Sequence, residues 1–221
     1  PKLIECANSV KWEPASNGKR MNDWLTNMGD WNISRKRYYG MPLPFYPCDC
    51  GHITVVGSKA ELREHAVDPA QVDALPELHR PWVDEVKIKC PRCGKEVSRI
   101  SDIGDVWLDA GIVPFSTLGY FTDRDAWEKN FPAEWVTEMH EQVRLWFYSM
   151  LFMSTVLVGK APYERVVTNG MVVAEDGSKF SKTGFMIKFD EAAEKIGADT
   201  VRYLYASAPT NNDVRFGYNL G

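Results

Sequence analysis

Lys179-Phe180-Ser181-Lys182-Thr183 follows a strand-like run, Arg165–Ala174, on a loop with Gly177 before it and Gly184 after it. Two lysines three residues apart, with a small hydroxyl residue beside each end, put mobile positive charge and hydroxyl donors on one flexible segment. A site that neutralises a triphosphate while pyrophosphate departs needs this equipment, because such chemistry runs on positioning and electrostatics. A solvated basic turn has the same composition, so the pentapeptide alone leaves both readings open. It is not a Gly-x-x-x-x-Gly-Lys-Ser/Thr phosphate loop, since Gly170 and Gly177 stand too far apart.

The flanking sequence predicts alternating strands and helices. Arg165–Val167 and Met171–Val173 are β-rich runs separated by the Asn169-Gly170 turn signal. Ala133–Val136 reads as a strand feeding a long helix, Glu141–Leu157. Asp190–Ile196 is helical and stops at Gly197, and a further helix over Asp199–Ala206 is stopped by Pro209. Nearer the N-terminus, Asn22–Met28 reads as a short helix with Trp24, Leu25 and Met28 on one side. Ile103–Trp107 reads as a short buried strand, and Asp123–Asn130 as a surface helix capped by Thr122 or Asp123. This alternation points to an α/β layered fold with a largely parallel sheet.

From Gly40 to Pro47 the prolines mark an extended exit into a segment of different character. Cys48-Asp49-Cys50-Gly51 and Cys90-Pro91-Arg92-Cys93-Gly94 form two knuckles, with a helix expected over Ala60–Ala66 and breaks at Pro69, Pro76 and Pro81. Thiolates in two glycine-bounded pairs match a closed tetrahedral zinc site, and the glycines permit the tight turns that aim backbone N–H groups at sulfur. Cys48, Cys50, Cys90 and Cys93 are therefore the expected metal ligands. The first pair is tighter than Cys-x-x-Cys, which leaves His52 as an alternative ligand. A closed set has no open position for water, so the expected Zn2+ is structural. A redox dithiol is the rival, but nothing places Cys90 at the start of a helix in a thioredoxin-like unit. Cys6 is isolated and reads as a small buried hydrophobe.

Bulk properties narrow the classes. A chain of 221 residues, 44% hydrophobic and 25% charged, can bury a substantial core in one or two domains and is not disordered. A net charge of −4 argues against nucleic-acid binding through overall charge, although Arg35-Lys36-Arg37 is a local basic run. The most apolar stretch, Leu145–Val158, is too short to span a bilayer and is interrupted by Ser149, Ser154 and Thr155, so a buried helix is expected and no membrane partner. Without a signal segment, and with paired cysteines suited to a reducing compartment that loads metal, a cytoplasmic location is expected.

Lys179–Thr183 resembles the KMSKS signature of class I aminoacyl-tRNA synthetases, with Phe180 for Met and Thr183 for the last Ser. Asp30-Trp31-Asn32-Ile33-Ser34-Arg35-Lys36-Arg37-Tyr38-Tyr39-Gly40 resembles the DWxxSRxRYWG block of the isoleucyl-tRNA synthetases. Asp105-Val106-Trp107-Leu108-Asp109-Ala110-Gly111 resembles their DVWFDSG block, and Glu138-Met139-His140-Glu141-Gln142-Val143-Arg144-Leu145-Trp146-Phe147 their EGxDQxRGWF block. The blocks stand in the family's order, and the Gln-x-Arg-x-Trp-Phe run favours the isoleucine branch over valine and leucine.

The resemblance implies the second half of a Rossmann-like nucleotide-binding fold with an inserted zinc-ribbon-like module. Its segments would be an opening catalytic stretch (1–40), the insertion (41–100) and the rest of the catalytic domain with the KMSKS-like loop (101–221). It implies activation of isoleucine with ATP and Mg2+ to isoleucyl-adenylate and transfer to tRNA(Ile), by a monomer. Lys179 and Lys182 would contact phosphates, Lys182 in the transition state, with Ser181 shaping the loop. Glu138 would bind the ribose hydroxyls, and Glu141, where the family usually has Asp, would lie beside the adenylate. Gly170 would let adenine approach the backbone. Gln142 would hold the polar end of the aminoacyl group, and Trp107 and Trp146 would wall the side-chain pocket. The plain alternatives are core tryptophans and, for Glu138, a charge at a helix N-terminus.

Departures from the pattern are Met139 and Leu145 for glycines, Asn169 for the histidine before Gly170, and Thr183-Gly184-Phe185 for Ser-x-Gly-Asn. None of His52, His65, His79 and His140 lies in a HIGH pattern. The expectation is a fragment without the HIGH half, the editing module or the anticodon-binding region, inactive alone. Two rivals remain: a free-standing, non-catalytic paralogue serving as a zinc-containing RNA- or protein-binding module, and a zinc-thiolate redox switch.

Overall fold

The computed structural model describes residues 1–219. It divides into two compact units, one formed by Pro1–Met28 with everything from Gly111 onward, the other by Gly29–Ala110.

The first unit is built on a parallel sheet. Arg165–Asn169 is its central strand, flanked by Lys11–Glu13 on one side and Val136–Met139 on the other. Val166 faces Trp12 and Val136, and Thr168 faces Glu138. Val166 and Thr168 are buried, as β-branched residues of a covered central strand should be. The crossover from Val136–Met139 to Arg165–Asn169 runs through a tight 3-10 turn, His140–Arg144, and the helix Trp146–Val158, which stops at Gly159 in the left-handed conformation. A mostly apolar helix buries most of its surface: Phe147, Tyr148, Met150 and Leu151 are buried, while Val156 and Leu157 in its last turn are exposed. Its serines are satisfied locally: Ser149 donates to the Trp146 carbonyl (3.1 Å) and Ser154 to that of Lys160 (2.6 Å). Among the described residues no helix is long and apolar enough to cross a membrane.

Sequence periodicity starts this helix at Glu141; the structure starts it at Trp146. Leu145 leaves helical geometry (φ −121°, ψ −105°), and the residues before it form the separate turn. Nor does the Asn169-Gly170 signal make a hairpin. The chain instead leaves the first sheet and enters Val172–Ala174, which pairs in parallel with Val214–Phe216. Gly170 donates to the Thr210 carbonyl (2.9 Å), and the backbone of Asn212 occupies the place a side chain would take. Phe189–Ala192 continues through a π-helical turn, Ala193–Gly197, into the helix Ala198–Ser207. These pack Ala192 and Val201 onto Phe216, with Phe180, Ile187, Ile196 and Leu204 around them. The helix Arg124–Asn130 is capped by Asp123, which accepts from the Ala126 N–H at 3.0 Å.

The second unit carries two antiparallel hairpins, Phe45–Pro47 with Ile53–Val55 and Ile88–Lys89 with Glu96–Val97. Two short helices join them. Lys59–His65 is capped by Ser58, and Pro69–Asp73 by Asp68. Pro69, read from sequence as a break, starts a helix, because the first helical position needs no backbone N–H. Tyr46, Val56, Leu62, Ala66, Val72, Val83, Val86 and Ile88 form the core. The unit also contains Ser34–Arg35, which pairs antiparallel with Ile103–Gly104. That strand is shorter than the predicted Ile103–Trp107: Asp105 turns the chain, and the helix Val106–Gly111 begins.

Candidate functional site

In open parallel sheets, ligands sit outside the carboxyl ends of the strands. Glu138 is the penultimate residue of Val136–Met139, with its carboxylate exposed and 3.3 Å from the Met139 N–H. Beyond it, the turn His140–Arg144 carries Glu141 and Gln142, both half-buried. Glu141 is ion-paired with Lys179. That bond holds the Glu141 carboxyl below its ordinary range against the opposing effect of burial, and the charges of Lys179, His140 and Arg20 act in the same lowering direction.

Lys179 stands at the end of a tight return. Ala174 and Ser178 are joined backbone to backbone (2.8 Å), Gly177 takes φ 86°, and Lys179 forms a bridge with Val173. The chain then closes a second turn, in which the Ser181 N–H donates to Phe185 (3.4 Å) and the Gly184 N–H to Ser181 (3.3 Å). The rings of Phe180 and Phe185 stack 5.9 Å apart at 28° across its base. Ser181 and Lys182 are exposed at the tip. One end of this unit therefore carries an anchored lysine, a solvent-facing lysine and the carboxylate-amide turn.

Gln142 has a structural task that sequence did not reveal. Its Oε1 accepts the Trp146 N–H at 3.1 Å, capping the long helix. Trp146 is half-buried and tilted against Phe147, with ring centroids 5.9 Å apart. Beneath the strand ends a buried pair, also unforeseen, links Asn17 Nδ2 to Thr168 Oγ1 at 2.6 Å. Trp107 belongs to the other unit, half-buried in the first turn of Val106–Gly111. There Asp105 is the hub. Its buried carboxylate accepts from Trp31 Nε1 (2.8 Å), from Arg35 and from the Trp107 N–H (3.2 Å), so it ties the Asp30–Gly40 block to the Asp105–Gly111 block. Both blocks were legible as motifs, but their meeting was not.

The cysteine knuckles converge as their spacing predicts. Ligand atoms of Cys48, Cys50, Cys90 and Cys93 all lie within 4.8 Å of one another, with Cys48 and Cys93 sulfurs 3.5 Å apart and those of Cys50 and Cys90 3.8 Å apart. Tetrahedral zinc with bonds near 2.3 Å requires sulfurs roughly 3.8 Å apart, so the donor set fits the ion. Gly51 (φ 82°) and Gly94 (φ 74°) supply the left-handed turns. Burial pushes the Cys90 thiol up, but the Arg92 and Cys93 N–H groups and the neighbouring thiols outweigh it and bring Cys90 down to about 7. His52 is not in the cluster; its carbonyl instead accepts the Cys48 N–H at 2.8 Å and closes the first knuckle. Cys6 is buried, with its sulfur 3.6 Å from the Gly159 carbonyl.

The sequence model of the family "tRNA synthetases class I (I, L, M and V)" matches residues 1–217. The chain belongs to the class I tRNA synthetases. Among curated relatives of this synthetase chain, the isoleucine–tRNA ligase of Methanopyrus kandleri is 39% identical over 98% of the chain, and that of Methanoculleus marisnigri 42% identical over 99%. The chain spans about a fifth of their length, 21% and 20% respectively. Among solved structures, the LeuRS of Agrobacterium radiobacter K84 in a ternary complex with tRNA and LeuAMS is similar. It superposes with a TM-score of 0.60 at 25% identity, over 86% of this chain and 26% of that one. The α/β fold with a parallel sheet is thus that of a class I synthetase, and isoleucine–tRNA ligases are close in sequence.

Proposed function

We propose that this chain is part of an isoleucine–tRNA ligase and contributes the second half of its adenylate-forming site. One observation carries the reading: the lysine loop is ion-paired, through Lys179 and Glu141, to the Glu138–Gln142 segment at the carboxyl end of the strand Val136–Met139. Activation of an amino acid needs its carboxylate aligned with the α-phosphate and charge neutralised as pyrophosphate leaves. Lys182 has the exposure and freedom to follow the departing phosphates, with Mg2+ accompanying ATP as substrate. Glu138 faces solvent with a carboxylate able to accept two ribose hydroxyls. With Oε1 engaged by the helix, Gln142 keeps its amide NH2 as the donor for the aminoacyl carbonyl. Trp146, half-buried beside Gln142, walls the side-chain pocket. Cys48, Cys50, Cys90 and Cys93 would hold a structural Zn2+, which supplies a crosslink between the two hairpins. Isoleucine, ATP and tRNA(Ile) are the proposed partners.

The test is isoleucine-dependent ATP–pyrophosphate exchange by the polypeptide that the source gene encodes. Lys182→Ala is expected to lower kcat about 100-fold or more, with a smaller change in KM for ATP. Absence of exchange, together with selective RNA or protein capture, would instead establish the non-catalytic paralogue.

A further inference from the structure

The two lysines of the loop are held differently. Lys179 is fixed twice, by its backbone bridge to Val173 and by its ion pair with Glu141. Lys182 sits in a turn held by the Phe180–Phe185 stack and two long backbone bonds, Ser181 to Phe185 and Gly184 to Ser181, and among the described residues no ion-pair partner is placed against it. Phe180 also packs onto the Ala192–Val201–Phe216 cluster, so the inner ring of that stack is rooted in a core while the outer ring, Phe185, is 55% exposed.

We infer that Glu141 and the Phe180–Phe185 stack form a two-point latch on residues 179–185, and that a bound polyphosphate releases it by replacing Glu141 as the counter-ion of Lys179. This rests on the ATP-site reading above. Glu141 is then a positioning residue. It holds the loop in one register while the site is empty, and its carboxylate competes with phosphate for the same ammonium group. The magnitudes suit a latch rather than a lock. An exposed ion pair is worth a factor of about 1.5 to 5 in the opening equilibrium, and an aromatic pair a factor of about 2 to 10. Neither contact alone would hold the loop against a polyanion that brings several charges.

Two readouts on this chain separate the latch from the ATP reading. The first is the rate of trypsin cleavage after Lys182 without ligand, followed by mass spectrometry. The second is affinity for inorganic tripolyphosphate by calorimetry. Glu141→Gln should raise cleavage about two- to fivefold and tighten tripolyphosphate binding by a similar factor. Phe185→Ala should raise cleavage about two- to tenfold. The exchanged pair Glu141→Lys with Lys179→Glu should restore slow cleavage while weakening tripolyphosphate binding, a pattern that loss of packing does not produce. Unchanged cleavage in Glu141→Gln, with tripolyphosphate still bound in a Lys182-dependent manner, would overturn the latch and leave the ATP site standing. Faster cleavage with no tripolyphosphate binding in any variant would overturn the counter-ion exchange, while the ATP reading stands or falls separately with the pyrophosphate exchange of the encoded polypeptide.

Discussion

At Gly170 the position of a side chain is taken by another stretch of backbone, the carbonyl of Asn212 and the N–H of Asp213. A backbone cannot swing aside as a long side chain can, and both neighbours are committed: the Gly170 N–H to Thr210, and the Asp213 carboxylate to the Met171 N–H at 2.8 Å. Gly170→Ala is therefore expected to destabilise the unit by about 1–3 kcal/mol, the usual cost of forcing atoms into a filled space, read as a lower urea midpoint at unchanged m-value. If adenine contact were its sole purpose, the same variant would keep its stability and lose only nucleotide affinity. The family resemblance singled out this glycine, but no local pattern could supply its packing reason, because the partner lies some forty residues downstream. Lys179 and Glu141 were likewise legible as site residues, whereas their ion pair joins segments that only the fold brings together.

The helix Trp146–Val158 illustrates what an element discloses in sequence and what it conceals. Its existence was plain, since a long, mostly apolar run bounded by a glycine has few other fates. Its start was hidden. The residues before it are respectable helix formers, and the break at Leu145 depends on Gln142 folding back to cap Trp146. Losing a side-chain cap costs about 1 kcal/mol, so Gln142→Ala should lower stability by that amount. Gln142→Glu should hold stability close to the parent, because a carboxylate oxygen can cap equally and suits the positive end of the helix dipole. It also removes the NH2 donor. The pair of variants thus separates the cap from the substrate contact: thermal melts should distinguish Ala from Glu, while binding of an isoleucyl-adenylate analogue should fall in both. Preserved binding in Gln142→Glu would confine Gln142 to its structural role.

Across the whole chain, the cysteine module was the most legible part, because each knuckle is a local signal and its glycines follow at fixed offsets. The long-range contact within its unit was not legible. Trp31 and Asp105 meet across 74 residues, and that contact draws 29–40 and 101–110 together with the hairpins. The metal should nevertheless dominate the stability of this unit. At about 0.05–0.15 kcal/mol per residue, a unit of this size has roughly 4–12 kcal/mol of total stability, while a structural zinc contributes on the order of 10–16 kcal/mol in small zinc-dependent folds. Chelation is thus expected to unfold Gly29–Ala110 outright. The parallel-sheet unit has its own core, centred on Val166 and Phe147, and contains no ligand of the metal. Metal analysis should find one zinc per chain. Hydrogen exchange after chelation should then show protection lost at Tyr46, Val86 and Ile88 but kept at Val166 and Thr168. Cys93→Ser should reproduce that pattern in part, since three thiolates still bind zinc but less tightly. Simultaneous loss of protection at both sets of amides would mean that the metal stabilises the chain as one cooperative body, and the two units would then fold only together.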